Sequence, residues 1–111
     1  MTNQEKLVDR YFALAPAADP EPYFAQFSPD AVVEDEGVTY RGVDAIRSWR
    51  AVVPEVSYDV QGVERRGVDA VADEYVARAE ISGEFPGSPV VLTFLFAFTE
   101  DGRVATLAIR S

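Results

Sequence analysis

The segment Val90–Thr99, VVLTFLFAFT, constrains the fold more than any other part of the chain. Its β-branched and aromatic residues are typical of a β-strand, in which successive side chains point to opposite faces. One face would carry Leu92, Phe94, Phe96 and Phe98, and the other Val91, Thr93, Leu95 and Ala97. An antiparallel strand with one face in water normally alternates apolar and polar residues. We therefore expect both faces of this strand to be buried, the inner one against a core or pocket.

The outer face of this strand needs a second cover, which a single chain of this plan lacks. We expect a homodimer that forms through the outer face of the sheet. The alternative is a monomer in which a loop or a chain terminus covers the strand.

Three helices are predicted before the long strands. The first starts at Thr2 or Asn3, has apolar residues at helical spacing and ends before Pro16. The second begins at Asp19-Pro20, where aspartate caps and proline suits the first turn, and it ends at Ser28–Asp30. The third runs from Asp44 to Val53 and is closed by Pro54.

Six strands are predicted in the remaining segments. They are Ala31–Glu36, Val38–Arg41, Glu55–Glu64, Val68–Ile81 after a turn at 65–67, Val90–Thr99 and Arg103–Arg110. This order indicates one α+β domain over residues 1–111, in which three N-terminal helices cover the concave side of a curved antiparallel sheet.

The chain has no histidine and no cysteine, which excludes Ser-His triads, thiolate nucleophiles and zinc-cysteine sites. Acid–base chemistry falls to carboxylates, with tyrosines as helpers. We expect no metal, because no calcium-loop spacing is present, and we expect no cofactor. The net charge of −9 argues against nucleic acid and anionic membranes as partners. No apolar run approaches membrane-spanning length and the N-terminus is polar, so a cytoplasmic protein is expected.

Three consecutive acids, Glu34, Asp35 and Glu36, end the first strand. Strand parity places Asp35 on the face of Val33, and the two glutamates on the other. If Val33 packs in the core, Asp35 points the same way, whereas the glutamates are solvated or near a dimer edge. The alternative is that Asp35 faces solvent or pairs with Arg41.

Four segments resemble the nuclear transport factor 2-like superfamily, in particular its SnoaL-like and ketosteroid isomerase-like branch, which includes polyketide cyclase-like proteins. They are VDRYFALAPAAD, PYFAQFSPDAVVED, YRGVDAIRSW and FAFTEDGRVATLAIR. The resemblance implies a cone-shaped sheet wrapped by helices around a mostly apolar cavity, and in many members a dimer through the sheet. Isomerases, cyclases, dehydratases, epoxide hydrolases and binding modules share this fold, so the fold alone does not identify the reaction.

The resemblance also implies roles for single residues. The aspartate of a V-E-D stretch is the general base of ketosteroid isomerases, and here it is Asp35. Their oxyanion-hole tyrosine lies in an R-Y-x-x-x-L pattern, which Tyr11 fits. Their second oxyanion donor is a protonated aspartate two residues before F-x-F, and Phe94 stands there instead. Losing one such donor typically lowers the rate by about 100- to 1000-fold.

These matches predict a pocket that holds a small apolar molecule. Its expected lining is Val33, Trp49, Leu92, Phe94, Phe96, Phe98 and Ala108. A carboxylate among such residues loses hydration and becomes a stronger proton acceptor. The expected function is an isomerase or lyase (cyclase) that acts on a carbonyl compound, with Asp35 as base and Tyr11 as donor. The alternatives are a non-catalytic binding or dimerisation module, Tyr11 as a core residue only, and a cavity filled by its own aromatic side chains.

Overall fold

The computed structural model describes residues 3–53, 55–66 and 74–111. Its helices are α1 (Asn3–Leu14), α2 (Glu21–Ala25) and α3 (Gly42–Val52). Its strands are β1 (Phe27–Asp35), β2 (Val38–Arg41), β3 (Val56–Arg66), β4 (Glu74–Gly83), β5 (Val90–Phe98) and β6 (Val104–Arg110). The predicted α+β class and the order of elements are confirmed.

The six strands form one curved sheet in the order β2-β1-β6-β5-β4-β3. All neighbouring strands in this sheet are antiparallel except β1 and β6, which are parallel. Helix α1 contacts β3 and β4, and α3 contacts β1 and β2. The core between helices and sheet is rich in aromatic rings, and among its most buried members are Tyr11, Tyr23, Tyr75, Phe94 and Phe96.

The first strand begins earlier than the sequence predicted. Helix α2 ends at Ala25, and β1 starts at Phe27 instead of Ala31. Phe27 pairs with Val104 of β6, and the Val104 N–H donates to the carbonyl of Gln26. A register shift separates this pairing from that of Val32 onwards, so the early part of the strand is held by a distant partner that local sequence does not reveal.

Strand β3 also continues further than expected, through Arg66, where the sequence suggested a turn at 65–67. The expected roles of Thr2 and Pro54 at helix ends, and the first part of the strand predicted from Val68, lie outside the described residues. No helix in the described part of the chain is long and apolar enough to cross a membrane.

Strand β5 has one buried face and one half-exposed face in the single chain. Phe94 and Phe96 are buried under the helices. On the other face Leu95 and Ala97 are half-buried, and Val91 is 47% exposed. The apolar outer face predicted from the sequence is therefore present, and the partner that would cover it stays a prediction.

Candidate functional site

The carboxylate of Asp35 lies at the end of β1, just before a tight turn. The turn uses Glu36 and Gly37, both with positive φ (48° and 86°), which suits a two-residue hairpin. Val33, on the same strand face, is fully buried, and Asp35 itself is half-buried. Strand parity thus orients Asp35 inward, as predicted.

A hydrogen bond fixes the Asp35 side chain. The indole Nε1–H of Trp49 donates to its Oδ2 over 3.0 Å. Trp49 and Ile46 lie three residues apart on the buried face of α3, so helix packing holds the donor in place. The alternative partner, Arg41, forms no ion pair with Asp35 within the described part of the chain. The Arg41 side chain is exposed, and its backbone pairs with Val32 across the hairpin.

A cavity of about 170 Å³ lies beside this carboxylate. Asp35 and Tyr11, the two predicted catalytic residues, both line it. The remaining lining is Trp49, Arg50, Val53, Val56, Tyr58, Ile81, Phe85, Val90, Leu92, Phe94 and Ile109. An apolar cavity of about 150 Å³ holds a benzene molecule, so this space suits a single ring or a short chain.

The predicted lining is corrected in part. Trp49, Leu92 and Phe94 line the cavity, whereas four other expected residues, Val33, Phe96, Phe98 and Ala108, do not. Val33 and Phe96 are fully buried in the core and are not among the residues that line the cavity.

Ala108 lies on the outer face of β6, whereas the sequence predicts that it faces the cavity. Its neighbours Leu107 and Ile109 are buried on the inner face, so Ala108 points outward. Strand β6 carries an irregularity opposite Ala97 and Phe98, and such a bulge shifts the parity of the residues that follow it.

Tyr11 is both a core residue and part of the cavity wall. It is 1% exposed, and its ring meets that of Phe96 edge-on at 5.1 Å. Its hydroxyl lies 2.9 Å from that of Tyr23. When Tyr23 donates this bond, the hydroxyl hydrogen of Tyr11 is free for an acceptor in the cavity.

Burial raises the pKa of Tyr11 well above its ordinary value of 10.0, and the neighbouring Tyr23 and Tyr58 act in the same direction. Burial also raises the pKa of Tyr23. Both phenols therefore stay protonated at neutral pH, as hydrogen-bond donors must.

These raised pKa values predict a loss of stability in alkali. An unfolded tyrosine ionises near pH 10, whereas Tyr11 in the folded chain holds its proton to higher pH. The stabilisation is complete below pH 10 and is lost as the pH rises further. We expect part of the tyrosinate absorbance to appear only when the protein unfolds, together with the loss of far-ultraviolet circular dichroism. In Tyr11→Phe, this late part of the absorbance should be smaller by the contribution of one tyrosine. Complete tyrosinate formation near pH 10 in a still-folded protein would contradict this.

Comparisons with known proteins agree with this architecture. The SnoaL-like domain model matches residues 8–107. The chain belongs to the SnoaL-like domain family. No curated protein sequence matches it.

Among solved structures, a candidate polyketide cyclase of Sinorhizobium meliloti is 36% identical, with a TM-score of 0.84 over 95% of this chain and 94% of that one. Nuclear transport factor 2 of Cryptosporidium parvum is 12% identical, with a TM-score of 0.80 over 96% and 90%. A Catenulispora acidiphila protein of ketosteroid isomerase-like fold, in complex with trimethylamine, is 17% identical, with a TM-score of 0.69 over 96% and 85%. The last two are similar in fold alone. The predicted superfamily is thus confirmed.

The SnoaL-like domain also has two polar cavity residues that sequence reasoning missed. Arg50 and Tyr58 both line the cavity, and Arg50 Nη1 donates to the Tyr58 hydroxyl over 3.2 Å. Arg50 follows Ile46 by four residues, which places both on one side of α3. This spacing alone could have predicted that Arg50 lies on the inner side of the helix.

A larger groove of about 870 Å³ adjoins the cavity of this SnoaL-like domain. The two share Arg50, Val53 and Val56, whereas Asp35 and Tyr11 line the cavity alone. Glu55 and Glu84 lie along the groove. Arg50 therefore stands where cavity and groove meet.

Proposed function

We propose that this SnoaL-like protein is a cofactor-free isomerase or lyase of the cyclase kind, acting on a small carbonyl compound held in the 170 Å³ cavity. The observation that carries the proposal is that Asp35 and Tyr11 line the same cavity, with one Asp35 oxygen held by Trp49. Family membership supports it, since the 36% identical Sinorhizobium meliloti protein is described as a candidate polyketide cyclase.

The proposed chemistry starts with proton transfer to Asp35. Its carboxylate takes a proton from the carbon next to the carbonyl, and the electron pair moves onto the carbonyl oxygen to give an enolate. The Tyr11 hydroxyl donates a hydrogen bond to that oxygen. In an isomerisation, a C=C bond next to the α-carbon extends the enolate to a dienolate, and protonated Asp35 returns the proton to the γ-carbon. In a ring closure, the enolate carbon attacks a second carbonyl of the same substrate, and protonated Asp35 gives its proton to the alkoxide that forms.

The second candidate is a binding module that uses the same cavity without turnover. Phe94 favours it, because this buried, apolar residue lines the cavity where related isomerases place a second oxyanion donor. Losing one such donor lowers the rate by about 100- to 1000-fold.

Proton exchange in heavy water tests the proposal. The protein is incubated with cyclopentanone, cyclohexanone and acetone, and the loss of α-hydrogen signal is followed by proton NMR. We expect at least one ketone to exchange faster than in buffer alone. Binding of these ketones without exchange would contradict the enzyme and support the binding module.

We further propose a homodimer through the outer sheet face. Val76 pairs with Leu95, and Leu95 with Ala108, so three apolar residues form a row across β4, β5 and β6. All three are half-buried in the single chain. A second copy that covers this row would remove the remaining apolar area from water.

Leu95→Asp is expected to convert the dimer into a monomer, because the change places a charge at the centre of the apolar row. Sedimentation velocity at tens of micromolar measures the state. The matched control is Val52→Asp, at an exposed site (78%) on α3, and it should remain dimeric. A monomeric wild-type protein at that concentration would refute the dimer.

A further inference from the structure

Arg50 is a fixed cation at the junction of cavity and groove. Its Nη2 donates to the Ala15 carbonyl over 2.6 Å, and its Nη1 to the Tyr58 hydroxyl over 3.2 Å. Its guanidinium lies 4.5 Å from the centre of the Tyr23 ring. These contacts hold the guanidinium in one place, so it needs little reorganisation to receive a ligand.

No carboxylate lies within ion-pair distance of Arg50 in the part of the chain that the structure describes. The ion pairs there involve other arginines, namely Arg47 with Glu21, Arg103 with Asp101 and Arg110 with Glu34. The chain has 19 acidic against 10 basic residues, so acids are plentiful. A half-buried cation without a direct ion-pair partner is unfavourable, and an anionic ligand in contact with it would relieve that cost.

The chemistry of the guanidinium points to a carboxylate. Arginine has five N–H donors in a planar fork, of which Arg50 donates two within the described residues. The remaining donors match the two oxygens of a carboxylate. Glu55 and Glu84 along the groove would repel a doubly charged phosphate more strongly than a singly charged carboxylate.

We propose that the ligand is a small oxo-acid. Its carboxylate binds Arg50 at the junction, and its carbonyl end enters the cavity toward Asp35 and Tyr11. The orientation follows from charge, because a substrate anion is attracted to Arg50 and repelled by the Asp35 carboxylate. The position of the reacting carbonyl rests on the proposed function, whereas recognition of the carboxylate requires no turnover.

The test compares levulinate with methyl levulinate, which has the same oxo chain without the charge. Dissociation constants are measured by NMR titration of the wild-type protein. We expect levulinate to bind roughly 10- to 100-fold more tightly, the range for hydrogen bonds to charged groups. Added salt should weaken the binding of levulinate and not of the ester. Equal affinities in the wild-type protein would overturn the inference, whether or not any variant folds.

In Arg50→Gln, the affinities for levulinate and methyl levulinate should become similar. Arg50→Lys should retain part of the preference for levulinate, because lysine keeps the positive charge but lacks the planar set of N–H donors. The matched control is Arg47→Gln, which removes the same charge from the same helix at a site paired with Glu21. An equal loss of preference in the Arg47 and Arg50 variants would overturn the specific role of Arg50. If the protein prefers levulinate to its ester but does not catalyse α-proton exchange in the ketones, only the proposed reaction is refuted. If it catalyses that exchange but shows no preference for levulinate, only this inference is refuted.

Discussion

Asp35→Asn is expected to lower the rate of ketone α-proton exchange by about 100- to 10,000-fold, the usual contribution of a positioned general base. Asparagine has the shape of aspartate and keeps an oxygen that can accept the hydrogen bond from the Trp49 Nε1–H. In the wild-type chain this bond to Asp35 is 3.0 Å long. The fold and the cavity should therefore persist while the proton acceptor is lost. The exchange rate in heavy water, followed by proton NMR, measures the effect.

Glu34→Gln is the matched control for this variant. Glu34 precedes Asp35 on β1, lies on the other strand face and is within 3.4 Å of Arg110. Its amide variant removes the same charge and should leave the exchange rate unchanged. Undiminished exchange in Asp35→Asn, or an equal loss in Glu34→Gln, would exclude Asp35 as the base.

Phe96→Ala is expected to lower the free energy of unfolding by about 3–5 kcal/mol, the range for truncating a buried phenylalanine. Phe96 is fully buried. Its ring stacks on Phe98 at 5.9 Å and meets Tyr11 edge-on at 5.1 Å. Domains of this kind are stable by only about 5–15 kcal/mol, so the variant would lose a large part of its stability.

Urea denaturation monitored by circular dichroism measures this loss. Phe85→Ala is the matched control, because Phe85 is only half-buried, in the loop between β4 and β5. The same truncation there should cost clearly less, since less apolar area returns to water. A loss below about 1 kcal/mol for Phe96→Ala would contradict the tight packing of this ring.

Local patterns in the sequence were sufficient for the element order and for the orientation of Asp35. Strand parity depends only on neighbouring residues, and Val33 and Asp35 share the inner face without any help from distant contacts. The apolar side chains of Val90–Phe98 likewise revealed a strand with two apolar faces.

Features that depend on distant pairing could not be predicted in this way. The early start of β1 results from parallel pairing with β6, which joins opposite ends of the chain. The strand face on which Ala108 lies depends on an irregularity in the pairing of β5 and β6. Because β6 has apolar residues on both faces, its sequence does not reveal this irregularity. The Trp49–Asp35 hydrogen bond and the position of Arg50 depend on how α3 lies against the sheet.

Trp49 offers the most direct measurement of the central claim, that the cavity beside Asp35 is the binding site. It is the single tryptophan of the chain, and its indole N–H donates a hydrogen bond to the carboxylate of Asp35 on the cavity wall. Cyclohexanone is titrated into nitrogen-labelled protein, and the one indole signal is followed in proton–nitrogen correlation spectra. A saturable shift of that signal is the predicted result. An unmoved indole signal, while backbone signals distant from the cavity shift, would contradict the claim.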